Sequence, residues 1–160
     1  PKPSSAASDV YKRQALRRAE PDRRPAAPRW RGAALRVANP SSYLYLTNER
    51  PRPDGKGYAP YERGICPTYN QYRYGTDKLP AYAHDAADDK LFVRYASRDV
   101  TYLLGGADNN PEHRLLDKTC GAEAQGATRL ARGTAYLQYE RIVANRGAKP
   151  VTLHLSLIHI

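Results

Sequence analysis

The stretch Arg98-Asp-Val-Thr-Tyr-Leu-Leu-Gly-Gly-Ala-Asp108 constrains the fold of this chain more than any other. Val100, Tyr102 and Leu104 alternate with Thr101 and Leu103, and all five are good strand formers. The run is short, mostly apolar, and stops at Gly105-Gly106. A strand of that kind suits a parallel sheet buried on both faces. Asp108 comes four residues after Leu104. In open α/β sheets, ligands and catalytic groups collect beyond the C-terminal ends of strands. A carboxylate delivered there by a Gly-rich turn is therefore a candidate working residue. A polar turn over Asp108-Asn-Asn-Pro111, with Asp108 as its Asx-type cap, accounts for the same residues.

Elements on either side extend the pattern. Leu35–Asn39 reads as a strand, followed by a turn at Pro40 and a second extended piece through Leu46. Asn39, Ser41 and Ser42 either line a site at the strand end or cap the turn with their own side chains. Neither serine has a Gly-x-Ser-x-Gly context. Ala83–Ser97 is expected to be helical, with Asp85, Asp88 and Asp89 near its start, where the helix dipole favours acids. Ala127–Asn145 is expected to form a second helix. Leu130, Tyr136, Leu137, Tyr139, Glu140 and Val143 recur at helical spacings along it. A loop is expected between Gly105 and Gln125, and another strand from Pro150. This alternation predicts an α/β fold: a partial parallel sheet with crossover helices.

Between the first strand and the first helix lies an insertion, Thr47–Tyr82. Its first half is rich in turn residues, with Pro51, Pro53, Gly55, Gly57 and Pro60. The second half is dense in Tyr, Asn, Gln and Arg, which suits either a substrate-facing lid or a small self-contained core. Cys66 opens that second half and Cys120 lies in the loop after the Asp108 strand. Two thiols at this spacing do not make a zinc motif. They are either free or joined in a disulfide between lid and body, and a disulfide would point to an exported parent.

Charge divides the chain unevenly. Residues 1–36 carry ten Lys/Arg against three Asp/Glu, and the remainder is near balance. Arg17-Arg18, Arg23-Arg24, Arg29 and Arg31 are interleaved with prolines. Such a segment buries little apolar surface and holds no regular helix. Phosphate contacts from these arginines, with stacking by the Tyr-rich stretch, would make a small basic nucleic-acid-binding protein, the alternative from another class. No apolar run reaches membrane-spanning length.

Four segments occur in order: Val37-Ala-Asn-Pro-Ser-Ser-Tyr-Leu-Tyr-Leu46, Tyr72-Arg-Tyr-Gly-Thr-Asp-Lys-Leu-Pro80, Val100-Thr-Tyr-Leu-Leu-Gly-Gly-Ala-Asp108 and Leu116-Asp-Lys-Thr-Cys-Gly-Ala-Glu-Ala-Gln-Gly126. Together they resemble the C-terminal half of an uncharacterised branch of the α/β-hydrolase superfamily, over roughly Arg36 to Arg141. The resemblance implies that 47–82 is a Tyr-rich cap and that Asp108 is the acid of a Ser-Asp-His triad. It further implies a small-molecule ester or amide substrate, met by Asn39, Tyr43, Tyr72 and Tyr74, with no cofactor and no metal. The nucleophile elbow of that family precedes the first strand seen here, and this sequence holds no Gly-x-Ser-x-Gly. None of His84, His113, His154 and His159 matches the family's base. The expectation is therefore a hydrolase fragment, itself inactive. Both ends add to it: Ser8-Asp-Val-Tyr-Lys-Arg-Gln14 and Leu155-Ser-Leu-Ile-His-Ile160 resemble translated sequencing-adapter DNA. The expected organisation is a basic head over 1–34, the partial hydrolase domain over 35–154, and a foreign tail over 155–160.

Overall fold

A computed structural model of the chain describes residues 35–84, 90–96, 98–146 and 153–158. The arginine-rich head therefore lies outside the described residues. Strand β1 (Leu35–Ala38) leads into the insertion, which holds β2 (Glu49–Pro51) and β3 (Tyr58–Pro60). Helices α1 (Ala81–His84) and α2 (Leu91–Ala96) come next, then β4 (Val100–Gly105). After it come α3 (Cys120–Glu123), α4 (Arg129–Arg146) and β5 (Leu153–Ile158).

The predicted α/β class is observed. Strand order in the main sheet is β1-β4-β5, and both pairings are parallel. Val100 stands opposite Leu35 on one side and Leu153 on the other. β4 is thus the central strand, and Val100, Tyr102 and Leu104 are each no more than 1% exposed. The central position pairs both edges of this strand, and α4 packs on one of its faces at Leu104. β5 is described over Leu153–Ile158 and so runs through Leu155–Ile158 of the adapter-like tail, and the expected start at Pro150 lies outside the described residues. Leu-His-Leu-Ser-Leu alternates with strand period, and the backbone follows that period whatever its origin.

α4 is capped as its sequence permits. The Thr128 hydroxyl accepts from the Ala131 N–H at 3.1 Å, three residues on. The helix thus starts at Arg129, two residues inside the expected bound. Gly133 lets it approach β4 closely: a Cβ there would lie 2.6 Å from Leu104 Cδ1 and 2.7 Å from the Tyr43 hydroxyl. The expected helix over Ala83–Ser97 is described only in part, as α1 and α2, and Asp85, Asp88 and Asp89 lie outside the described residues. The expected loop over Gly105–Gln125 contains the short helix α3, which the sequence reading did not anticipate.

The extended piece Ser41–Leu46 joins no sheet, yet Tyr43, Leu44 and Tyr45 are buried. Buried backbone without a ladder must find other partners, and here side chains provide them. Gln125 takes both polar groups of Tyr43, accepting from its N–H at 2.7 Å and donating to its carbonyl at 2.8 Å. The Tyr136 hydroxyl donates to the Leu44 carbonyl at 2.9 Å, and the Tyr139 hydroxyl accepts from the Leu46 N–H at 3.0 Å. Tyr136 and Tyr139 thus fill the core with their rings while their hydroxyls serve this unladdered segment.

Candidate functional site

Asp108 lies just past the C-terminal end of β4. Gly105 and Gly106 end the strand, and the Asp108 N–H donates back to the Gly105 carbonyl at 3.0 Å. Across this turn sits Asn39, at the end of β1. Its φ is +37°, in the left-handed region that asparagine tolerates better than most residues. The Asn39 side-chain oxygen accepts from the Gly105 N–H at 2.7 Å. A Cβ on Gly105 would fall 3.3 Å from Asn39 Nδ2 and 3.6 Å from Asp108 Cβ. Asn39 thus stitches together the two strand ends on which the site is built.

The carboxylate of Asp108 is held from the other side by Arg129, the first residue of α4. One guanidinium nitrogen donates to Oδ1 at 3.0 Å, in a mostly buried ion pair. The same guanidinium donates to Ser41 Oγ at 3.0 Å and to the Leu115 carbonyl at 2.7 Å, and lies 3.4 Å from His113 Nδ1. Asp108, Ser41 and His113 are therefore gathered around one cation, not linked hydroxyl to imidazole to carboxylate. His113 Nδ1 accepts from the Leu115 N–H at 3.2 Å, and is engaged within its own loop. Neither Ser41 nor His113 is placed as a nucleophile or base. Among the described residues, Oδ2 of Asp108 makes no hydrogen bond.

Arg129 was not singled out in the sequence, although a signal was there. Arg129 and Arg132 both sit in the first turn of a helix, where the dipole disfavours cations. Their presence implies a specific partner for each. Arg132, fully buried, donates to the Gly126 carbonyl at 2.6 Å and to the Ser41 carbonyl at 2.7 Å. Loss of water lowers its pKa, but that burial is tolerated because carbonyl dipoles face the charge.

The remaining expected substrate residues lie apart from this cluster. Tyr43 is a core residue, fully buried, with its ring stacked on Tyr136 at 4.7 Å. Tyr74 is also buried. Its hydroxyl donates to Asp117 Oδ2 at 2.8 Å and lies 2.6 Å from Thr119 Oγ1, and its ring covers Gly121, where a Cβ would come within 2.4 Å. Tyr72 is half-buried in the 47–82 insertion, with its hydroxyl 3.0 Å from that of Tyr82. Of the four, the structure brings only Asn39 up to Asp108.

The 47–82 insertion, the segment expected to be a cap, has its own organiser. Arg50 of β2 is 1% exposed. It donates to the carbonyls of Thr47, Glu49, Tyr69 and Tyr74 and to Asn70 Oδ1, over 2.7–3.2 Å. The guanidinium also lies over the rings of Tyr45 at 4.4 Å and Tyr69 at 5.0 Å. Burial lowers its pKa to about 10, so it remains charged at neutral pH. Cys66 and Cys120 form a disulfide, which ties the cap to the start of α3. With so many tyrosines committed to the interior, the base-stacking platform of the nucleic-acid alternative is largely used up. No described helix is long and apolar enough to cross a membrane.

No family model matches the chain, and no curated protein matches it. Solved structures do. Poly(aspartic acid) hydrolase-1 from Sphingomonas sp. KT-1 aligns with a TM-score of 0.58 at 23% identity, over 94% of this chain and 44% of that one. LpqC, a poly(3-hydroxybutyrate) depolymerase from Bordetella parapertussis, aligns with a TM-score of 0.56 at 19% identity, over 95% of this chain and 40% of that one. The fold is α/β-hydrolase-like. The chain spans less than half the length of either structure.

Proposed function

We propose that this chain is the acid-bearing part of a serine hydrolase that cleaves small-molecule esters or amides, with Asp108 as the triad acid. The observation that carries the reading is the position of Asp108. It sits on a Gly-rich turn past the end of the central strand, in a fold shared with two hydrolases. In this role Oδ2 accepts the Nδ1–H of a histidine supplied from outside this sequence. The carboxylate then fixes the imidazole tautomer and stabilises the imidazolium that forms when the nucleophilic serine gives up its proton. Arg129 on Oδ1 keeps the carboxyl group from turning away. Asn39 fixes the turn that carries it. The Cys66–Cys120 disulfide supports an exported parent, because such bonds persist in oxidising compartments.

The test has two parts. The purified chain is expected to show no ester turnover above background and no labelling by a fluorophosphonate probe; serine-dependent turnover would contradict the reading. The second part takes the coding frame, extended by long-read sequencing of the source DNA. It is expected to enter a Gly-x-Ser-x-Gly elbow upstream and a histidine downstream. In that extended enzyme, Asp108→Asn is expected to lower kcat by about ten-thousandfold. Unchanged kcat would remove Asp108 from the triad.

A further inference from the structure

The helix–sheet layer contains a carboxyl group that the proposed chemistry does not use. Glu140 lies in the middle of α4 and is fully buried. Its Oε1 accepts from the Tyr95 hydroxyl of α2 at 2.5 Å and from the Tyr102 hydroxyl of β4 at 3.0 Å, and those two hydroxyls also meet each other. Among the described residues, its Oε2 is buried without a hydrogen-bond partner. One side chain thus joins α2, β4 and α4. The titratable groups that face it are Tyr95 from α2, Tyr102 from β4 and Tyr136 from α4 itself, with Tyr45 at longer range from the segment after β1. Among the described residues these four are all phenols, neutral at physiological pH, and none supplies a countercharge.

This geometry favours the neutral acid. A carboxylate here would be cut off from water, with one oxygen lacking any donor and no cation facing it among the described residues. Phenol hydroxyls soften that cost without removing it. Burial accordingly pushes the group up to about 8, against the downward pull of its tyrosine donors.

We propose that Glu140 is a proton-controlled latch, which holds α2 and α4 on β4 while it keeps its proton and releases that layer when the proton leaves. The inference goes beyond the hydrolase reading and does not rest on it. Because α4 begins at Arg129, release of the helix also loosens the hold on Asp108.

The direction with pH follows from linkage. An ordinary glutamate, as in the unfolded chain, titrates near 4.5. At lower pH both states carry the proton and the latch is fully closed. Between 4.5 and about 8 the unfolded chain has given up a proton that the folded chain keeps, so each pH unit favours unfolding about tenfold. Above that window the loss is complete.

Urea unfolding of this chain from pH 4.5 to 8.5, beside Glu140→Gln, tests the latch. Across the window, the wild-type folded-to-unfolded ratio is expected to fall by about three orders of magnitude relative to the variant. Amide exchange in α4 is expected to quicken in the wild type but not in Glu140→Gln at the same pH. Parallel pH curves for the two proteins would overturn the proposal. If Glu140→Gln fails to fold, the carboxyl carbon of wild-type Glu140, followed by NMR, decides alone. A midpoint above about 6.5 supports the latch, and one near the ordinary glutamate value refutes it.

Discussion

Arg50 in the 47–82 insertion and Glu140 in the helix–sheet layer are both buried without a formal counter-ion among the described residues, and the two regions handle them in opposite ways. In the cap, Arg50 keeps its charge: it has five oxygen acceptors and two aromatic faces, and even a lowered pKa leaves it protonated at neutral pH. In the layer, Glu140 has two phenol donors on one oxygen and none on the other, so it keeps its proton instead. The difference lies in how far each group starts from neutrality. A guanidinium can lose two pH units to burial and stay ionised, whereas a carboxyl shifted by a similar amount approaches neutral pH. The cap is therefore held by a charge that few conditions remove. The layer is held by a proton that mild alkali takes away.

Removing the charge from the cap should have the largest effect. Arg50→Met strands several buried carbonyls at about 1–3 kcal/mol each, and a loss of about 5 kcal/mol is expected in urea unfolding. A loss under about 1 kcal/mol would show that water replaces the guanidinium, and that the cap is less dry than its burial implies. Glu140→Gln should behave quite differently at pH 5, where it replaces one neutral group with another; a change within about 1 kcal/mol is expected there.

Opening the Cys66–Cys120 bond comes next. It closes a 54-residue separation, for which chain entropy gives about 4 kcal/mol. Thermal melts with and without reductant should differ accordingly, and limited proteolysis of the reduced form should cut first within the cap. First cleavage in α4 would mean that the bond supports the layer, not the cap.

Gly133→Ala is expected to cost about 1–2 kcal/mol. Overpacking against Leu104 and Tyr43 outweighs the roughly 1 kcal/mol that alanine gains in a helix. A gain in stability would show that α4 sits less firmly on β4 than described. The smallest effect is expected at the exposed Arg63–Asp77 pair. Arg63→Ala should leave the melting midpoint unchanged, because solvent screens such pairs.

The sheet was legible in the sequence because its signals are local. The alternation over Val100–Leu104 and the stop at Gly105-Gly106 fix β4 without reference to anything distant. The helical spacings from Leu130 to Val143 likewise fix α4. Asp108 could be singled out because it follows a strand end at short range. Arg129 could not be assigned to it, since a contact across 21 residues depends on how α4 packs. The same limit applies to Tyr43 and Tyr74. The family resemblance implied both as substrate-facing, whereas their rings lie in the core and in the seam between the insertion and α3.

The sequence by itself determined the α/β order, the buried strand at 100–104, the long helix after it and the carboxylate at the strand end, because each is written in residues a few positions apart. Only the tertiary structure decided which charges are buried and what they hold. Arg50 looks like an ordinary surface residue in a one-dimensional pattern, and the first-turn position of Arg132 and the helical spacing of Glu140 do not name their partners. Their burial is set by partners 24, 91 and 45 residues away, which only the packed chain brings into reach.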